Sequence, residues 1–307
     1  MFVVQIGMVA NMSLVDDLSG LALERFSEAD VAMAPGRSCA GVSLESCLSC
    51  LKHVHFGDAH QQKYWCNKMI DLYVPQFIYA YASEIYYALE KLYCGHAPTQ
   101  IKVVSIGCGA APDLLALEKM NSEKNIGFEY IGIDLNEYWE PYHRVINDSS
   151  LNACVYHADI CSLSESLQEQ LKSCDLLILQ YFLSAVFDKV TRRVPEEIIN
   201  AIYKSVVHYM PEGSAVIVND LNSDYMGRPQ WDAIFSCDGV NRTFQREDFC
   251  FDKKSANGYT PYGKVLKHYP HAFWTSPIPV CFNISDAVKS RFDPHMYCRS
   301  CFSLYRI

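Results

Sequence analysis

The apolar positions of this chain change their period along its length. From Gln61 to Tyr93 they recur at helical spacing, with Phe77, Tyr81, Ile85, Ala88 and Leu92 on one face of FIYAYASEIYYALEKLY. The spacing predicts a helix that is started or broken at Pro75 and stopped by Gly95 and Pro98. Upstream, Ser38 to Gly57 reads as short, polar and turn-like, and the opening MFVVQIGMVA as a packed strand or an apolar cover. This part never alternates strand with helix. Residues 1–98 are therefore expected to form a helical cover ahead of an α/β core that occupies 99–307.

The core pattern begins at Ile101–Ile106, a strand, and continues with helix Asp113–Met120 and strand Phe128–Asp134. After a helical or looped stretch come strand Ala153–His157, helix Ser164–Lys172 and strand Asp175–Gln180. The last, DLLILQ, is an apolar run suited to a central parallel strand covered on both faces. Pro195–Tyr209 is amphipathic, with Pro195 at a helical start and Glu196 and Glu197 in the first turn, where the helix dipole favours acids. Pro211-Glu212-Gly213 turns the chain into strand Ala215–Val218. This order defines a doubly wound α/β sheet. Beyond Asp220 the rhythm breaks. A stretch of about 221–280, rich in aromatics, Asn, Gly and Pro, is expected to form a substrate-side insertion over the pocket mouth. CFSLYRI, Cys301–Ile307, alternates like a terminal strand.

Composition sharpens this picture. Half of the 307 residues are apolar and 13% aromatic, which predicts a substantial folded core. A formal charge of −9 argues against broad DNA or RNA binding. MFVVQIGMVA has no basic leader and is too short for a membrane span, so no membrane partner is expected and a cytoplasmic location is the reading. Nothing in the pattern specifies an oligomeric state. Of the 14 cysteines, Cys108, Cys154, Cys174 and Cys250 read as small buried hydrophobes rather than disulfide partners. Cys47-x-x-Cys50 and Cys298-x-x-Cys301 each have the spacing of half a zinc site, with Cys39, Cys66, His53 and His55 near the first pair. Neither pair has a glycine-rich knuckle and Cys301 sits in a strand-like run, so buried thiols are the favoured reading over zinc or a redox pair.

Candidate chemistry concentrates at VVSIGCGAAPDLL, where an apolar strand ends in a glycine turn that opens a helix. Gly107 and Gly109 permit backbone angles and close approach that a Cβ would prevent. Ala110 and Ala111 stay small, and Pro112 can occupy the first helical turn, whose unpaired N–H groups would face a ligand. The dinucleotide fingerprint G-x-G-x-x-G needs a third glycine where this chain has Pro112, which disfavours a pyrophosphate. Asp134 closes the second strand, where a carboxylate can accept both ribose hydroxyls of an adenosine. Asp159 follows the third, placed to accept from an adenine amine with Ala158 and Ile160 flanking the ring; an N-cap role competes at both acids.

With these residues, about Ile101 to Asp220 resembles the core of class I S-adenosylmethionine-dependent methyltransferases. The resemblance implies a mostly parallel, seven-stranded Rossmann-like sheet with an antiparallel last strand, which CFSLYRI could supply. It also implies S-adenosylmethionine as cofactor, with S-adenosylhomocysteine as product. Gly107, Cys108, Gly109 and Ala110 would meet the methionine end, Asp134 and Leu135 the ribose side, and Asp159 and Ile160 the adenine; Gln180 would complete the set. Two positions depart from the pattern: Ser105 stands where the family has an acid, and Ala111 where it has a third glycine. Asp113, just inside the helix, is expected to compensate, meeting the cofactor's ammonium or a bridging water. The QYFL run after the fourth strand lacks the paired prolines of base amino-methyltransferases, so a small-molecule or protein acceptor is expected. Tyr181 and Phe182 could wall it, with one of them serving the core as the alternative. Of the polar run Asn219, Asp220 and Asn222, Asp220 could orient or deprotonate the acceptor and Asn219 hold it by its amide, against a loop stabilised by Asx turns. His268, His271 and Trp274 form another candidate wall, with His271 a candidate base, and Tyr64, Trp65, Tyr73 and Tyr81 could close the pocket. A nicotinamide oxidoreductase and a non-catalytic scaffold on the same core are the competing readings.

Overall fold

The computed structural model describes residues 13–28, 30–35, 39, 43–56, 64–188, 191, 193–221, 230–233, 245–251, 272–273 and 277–307. Three helices precede the sheet: α1 (Leu14–Glu28), α2 (Leu44–Phe56) and α3 (Asn67–Leu92). Pro75 neither starts nor breaks α3 but lies inside it. α1 holds the helix on both sides of the proline, through Arg25 on Asp71 before it and Ser19 on Tyr79 after it, which outweighs one missing N–H donor. The polar segment read as turns is α2. Its Leu44, Leu48 and Leu51 share a helical face, and Cys47 and Leu51 are buried there. Asp71 pins the cover: it accepts from Arg25 Nε of α1 (3.0 Å) and from the Tyr142 hydroxyl (2.8 Å).

The alternation then proceeds through β1 (Gln100–Ile106), α4 (Pro112–Lys124), β2 (Gly127–Asp134), α5 (Glu140–Asn147), β3 (Ala153–His157), α6 (Glu165–Leu171) and β4 (Leu176–Gln180). It continues with a short helix α7 (Phe182–Val186), which the pattern did not reveal, and with α8 (Glu196–Ser205) and β5 (Ala215–Asp220). β6 (Gln245–Cys250), β7 (Ala272–Phe273), α9 (Asp286–Arg291) and β8 (Cys301–Arg306) follow. The sheet order is β3-β2-β1-β4-β5-β8-β6-β7. β1 to β5 pair in parallel, while β8 runs antiparallel between β5 and β6. The expected seven-stranded, mostly parallel sheet is present, with two-residue β7 added at its edge. β6 comes from the stretch expected to cover the pocket, so part of that stretch extends the sheet.

Strand alternation separates two cores. Val103, Ile178, Ile217 and Leu304 pack with α3 and α4, whereas Val104, Leu177, Val216 and Tyr305 pack on the opposite face. Ser105, Gln180 and Asn219 fall on the α3 side, near the carboxyl ends of their strands. No helix among the described residues is long and apolar enough to cross a membrane.

Cys250 and Cys301 are register partners in β6 and β8 and form a disulfide, which corrects the reading of Cys250 as a buried thiol. The periodicity gave no hint of it because the partner strand β6 was not recognised. Closing the intervening loop restricts the unfolded chain by about 4 kcal/mol in the chain-entropy account. Cys250→Ser is expected to lower the unfolding free energy by about 2–4 kcal/mol in a denaturant titration, and a reducing agent should move the unsubstituted protein equally.

Candidate active site

The turn after β1 concentrates left-handed backbone: Gly107 has φ 69°, Gly109 56° and Ala111 52°. Gly107 N and Cys108 N both donate to Ile133 O, at 2.7 and 3.2 Å, which fastens the turn to β2. A Cβ on Gly107 would lie 2.4 Å from the Phe182 ring, so glycine is required there by space as well as by angle. At Gly109 the nearest atom, on Trp139, would be 3.5 Å away, so the angle alone requires glycine. Ala111 ends the turn without a side-chain cap, and Pro112 opens α4.

Asp134 is held in place by this turn. Gly109 N donates to its Oδ2 and Asn136 N to its Oδ1, each at 2.8 Å. Burial pushes its carboxyl up, opposed by those two donors and by His143 and His157. A carboxylate has about four acceptor sites, so roughly two remain for further donors. Beside it Leu135 is 54% exposed, a large apolar side chain left uncovered. Ala158 N donates to Asp134 O at 3.0 Å and His157 Nε2 bonds Leu135 O at 2.8 Å, bringing the ends of β2 and β3 together. Asp159 Oδ1 accepts from Cys161 N at 2.9 Å, which realises the capping alternative, and Ile160 is buried next to it.

Asp113 lies behind the turn, 1% exposed. Its Oδ1 accepts from the Tyr130 hydroxyl at 3.0 Å, and its Oδ2 has no hydrogen-bond partner. Burial pushes this carboxyl from 3.8 up to about 6, against the pull of the Ser105 and Tyr130 hydroxyls.

On the other side of the turn, Tyr181 has φ 52° and donates its hydroxyl to Glu84 Oε2 at 3.0 Å. Glu84, buried in α3, also accepts from Asn219 Nδ2 (2.8 Å) and from Arg299 N (2.9 Å). Ser300 Oγ donates to Asn219 Oδ1 at 2.5 Å. Burial raises the Glu84 carboxyl, and these donors oppose the rise. The sequence reading passed over Glu84, although it lies three residues after Tyr81 and four before Ala88, on the apolar face itself. An acid at that spacing was the available signal.

Asp220 is buried, with Oδ2 on Ser184 N (2.9 Å) and Oδ1 on Leu221 N (2.7 Å). It braces the start of α7 against the end of β5. His271, with His268, Trp274 and Asn222, lies outside the described residues. Of the expected aromatic wall, Tyr64, Tyr73 and Tyr81 come together with Trp139, Phe77 and Tyr181. Tyr64 and Tyr73 lie 5.8 and 5.5 Å from the Trp139 ring, and Tyr81 lies 4.2 Å from Tyr181. His295, also passed over, meets Phe77 edge to face at 4.6 Å, and burial with Arg299 nearby lowers its imidazole to about 4.

Cys301 is engaged in the disulfide, and burial pushes the Cys47 thiol up to about 11. Among the described residues no group of three or more His, Cys, Asp or Glu side chains is arranged to hold a metal ion.

No family model matches the sequence, and no curated protein is found to be similar to it. Solved structures give weak likenesses. A Listeria monocytogenes protein provisionally assigned as a class I S-adenosylmethionine-dependent methyltransferase is 10% identical over 74% of this chain, with TM-score 0.44. The chain covers 58% of that protein's length. The plantazolicin methyltransferase BpumL, in complex with a monoazolic desmethyl analogue and S-adenosylhomocysteine, is 12% identical, covering 95% of this chain and 96% of its own, with TM-score 0.39. A precorrin-6y C5,15-methyltransferase of Geobacter metallireducens is 13% identical over 54% of this chain and 75% of its own, with TM-score 0.35. Likeness at this level carries no assignment of activity.

Two measurements follow from the geometry. Gly107→Ala should destabilise by at least 1 kcal/mol more than Gly213→Ala, because both have positive φ but only Gly107 faces a ring; paired thermal melts would read the difference. Because the folded pKa of Asp113 is raised, the folded state holds a proton that the unfolded chain releases, and stability rises as pH falls through about 6 toward 4. Relative to Asp113→Asn, the unsubstituted protein should gain about 2 kcal/mol between pH 7 and pH 4 in denaturant titrations.

Proposed function

We propose that the protein transfers a methyl group from S-adenosylmethionine to a small-molecule or protein acceptor. The observation that carries this reading is Asp134, a carboxylate aimed by Gly109 N and Asn136 N with acceptor capacity to spare, at the carboxyl end of β2. Its position matches what a ribose demands: two hydroxyls meet two remaining acceptor sites. The exposed Leu135 supplies an apolar surface for adenine, with Ile160 beneath the neighbouring loop. The second oxygen of Asp159 is available to the adenine amine while the first caps its turn. The sheet supports the same assignment. Its direction of build-up reverses at β1, where β2 and β3 lie on one side and β4 and β5 on the other, and ligands of doubly wound folds bind at that point.

The cofactor supplies an activated methyl group, so the chain's own work is to bind, align and exclude water. Gly107 to Ala110 would approach the methionine end closely. Asp113 behind the turn is suited to sense its ammonium through the backbone or a water, compensating for Ser105. The aromatic wall of α3 with Trp139 and Tyr181 would exclude water on the acceptor side. Asp220, with both oxygens on backbone donors, is suited to hold the loop after β4 rather than to abstract a proton, and His271 stays a candidate base on the insertion.

Asp134→Asn tests the reading. S-adenosylhomocysteine should bind the unsubstituted protein in calorimetry and lose about 1–3 kcal/mol of affinity in the variant, with the thermal midpoint monitored in parallel. Absence of binding to the unsubstituted protein at millimolar concentration would remove the methyl-transfer reading.

A further inference from the structure

Gln180 and Tyr181 are consecutive, and in an extended strand they would face opposite sides of the sheet. The left-handed φ of Tyr181 cancels that alternation. Both side chains reach the same turn of α3: Gln180 Nε2 donates to Tyr81 O at 2.8 Å, and the Tyr181 hydroxyl donates to Glu84 at 3.0 Å. Backbone of this kind in a non-glycine residue costs about 1 kcal/mol or more and is held only where its surroundings enforce it. The next residue, Phe182, packs on Gly107, so this pair adjoins the glycine turn.

The bonds already made decide what the pair can still offer. The Gln180 amide has one N–H on a carbonyl, and its Oε1 is buried with no partner. The single hydroxyl hydrogen of Tyr181 is given to Glu84, so toward a ligand the phenol oxygen accepts. Glu84 accepts from three groups and enforces this polarity. A ligand that meets these two oxygens must bring hydrogens. A neutral amine nitrogen brings two hydrogens to adjacent acceptors, whereas a hydroxyl brings one, and a buried carboxylate behind the phenol favours the positive charge that the nitrogen acquires as it takes the methyl.

We propose that Gln180, Tyr181 and Glu84 form a hydrogen-accepting corner that selects an amine as the methyl acceptor. This rests on the methyl-transfer reading above. Gln180 Oε1 and Tyr181 Oη receive the N–H groups of a neutral amine, whose lone pair forms the N–CH3 bond as the S–CH3 bond breaks; S-adenosylhomocysteine leaves and the surplus N–H proton passes to water. Glu84 is a positioning residue that keeps the phenol hydrogen turned away from the acceptor. Gln180 thereby moves from the cofactor's binding set to the acceptor's.

The probe is sinefungin, the S-adenosylmethionine analogue with an amine-bearing carbon in place of the methyl sulfonium, compared with S-adenosylhomocysteine by calorimetry on the full chain. Sinefungin should bind the unsubstituted protein at least about tenfold more tightly, as expected for one charge-assisted hydrogen bond. Tyr181→Phe and Gln180→Leu should each shrink that ratio while S-adenosylhomocysteine affinity stays within about twofold. Equal binding of the two ligands, or a ratio that survives both substitutions, overturns the corner. Equal weakening of both ligands by Gln180→Leu assigns the amide to the methionine end and also overturns it. If neither ligand binds, the methyl-transfer reading itself falls, and the corner's role with it. The ratio in the unsubstituted protein needs no variant, so a substitution that fails to fold leaves the test standing.

Discussion

A carboxylate buried in a protein must be given donors, and Glu84 collects its donors from three separate segments. The Tyr181 hydroxyl comes from the turn after β4, the Asn219 amide from β5 and the Arg299 N–H from the approach to β8. Leaving such a group unpaired would cost several kcal/mol, so α3, the ends of β4 and β5 and the start of β8 are compelled to meet at one point. The left-handed backbone of Tyr181 and the seating of α3 over the strand ends both follow from that meeting. The helix is therefore part of the site's construction as well as a lid on its core.

A second carboxylate organises the opposite half. Asp134 takes one N–H from the glycine turn and one from the chain just beyond β2, so the two strands that would frame an adenosine are joined by a single side chain. The two acids are satisfied differently: Glu84 by side chains and backbone drawn from far along the sequence, Asp134 largely by neighbouring turns. Asp113, behind the turn, accepts the Tyr130 hydroxyl on Oδ1, and its Oδ2 is buried without a hydrogen-bond partner. It holds the same face of the sheet as Ser105, whose small side chain leaves room for a carboxyl entering from the helix.

These differences explain what could be read in the sequence. Strands β1 to β5, the glycine turn and Asp134 were legible because each depends on local pattern: apolar runs, small residues and an acid at a strand end. Helix α2 was hidden by serines and cysteines that look like turn residues until Leu44, Leu48 and Leu51 are placed on one face. Strand β6 was hidden because QREDFC carries too many charges to announce a strand, and its pairing depends on β8 far away in sequence. Glu84 has one local mark, an acid on the apolar face of α3, but that mark does not name its partners, which lie between 97 and 215 residues away. Asp220 was legible as an acid at a strand end, but its bonds to Ser184 N and Leu221 N, which brace the loop after β4 against β5, depend on a contact across the sheet that the sequence does not display.

The placement of β8 has a consequence for how the molecule assembles. It follows β6 in sequence but lies between β5 and β6, so each of those strands presents an open hydrogen-bonding edge until the later segment inserts. Such pairing is non-local and slow compared with the closure of neighbouring strands and helices. Arg299 and Ser300, which complete the polar cluster around Glu84, arrive on that same late segment. The parallel half of the sheet can form the glycine turn and its bond to Asp134 first, whereas the polar cluster around Glu84 waits for the final insertion and is built only in a chain whose sheet has closed.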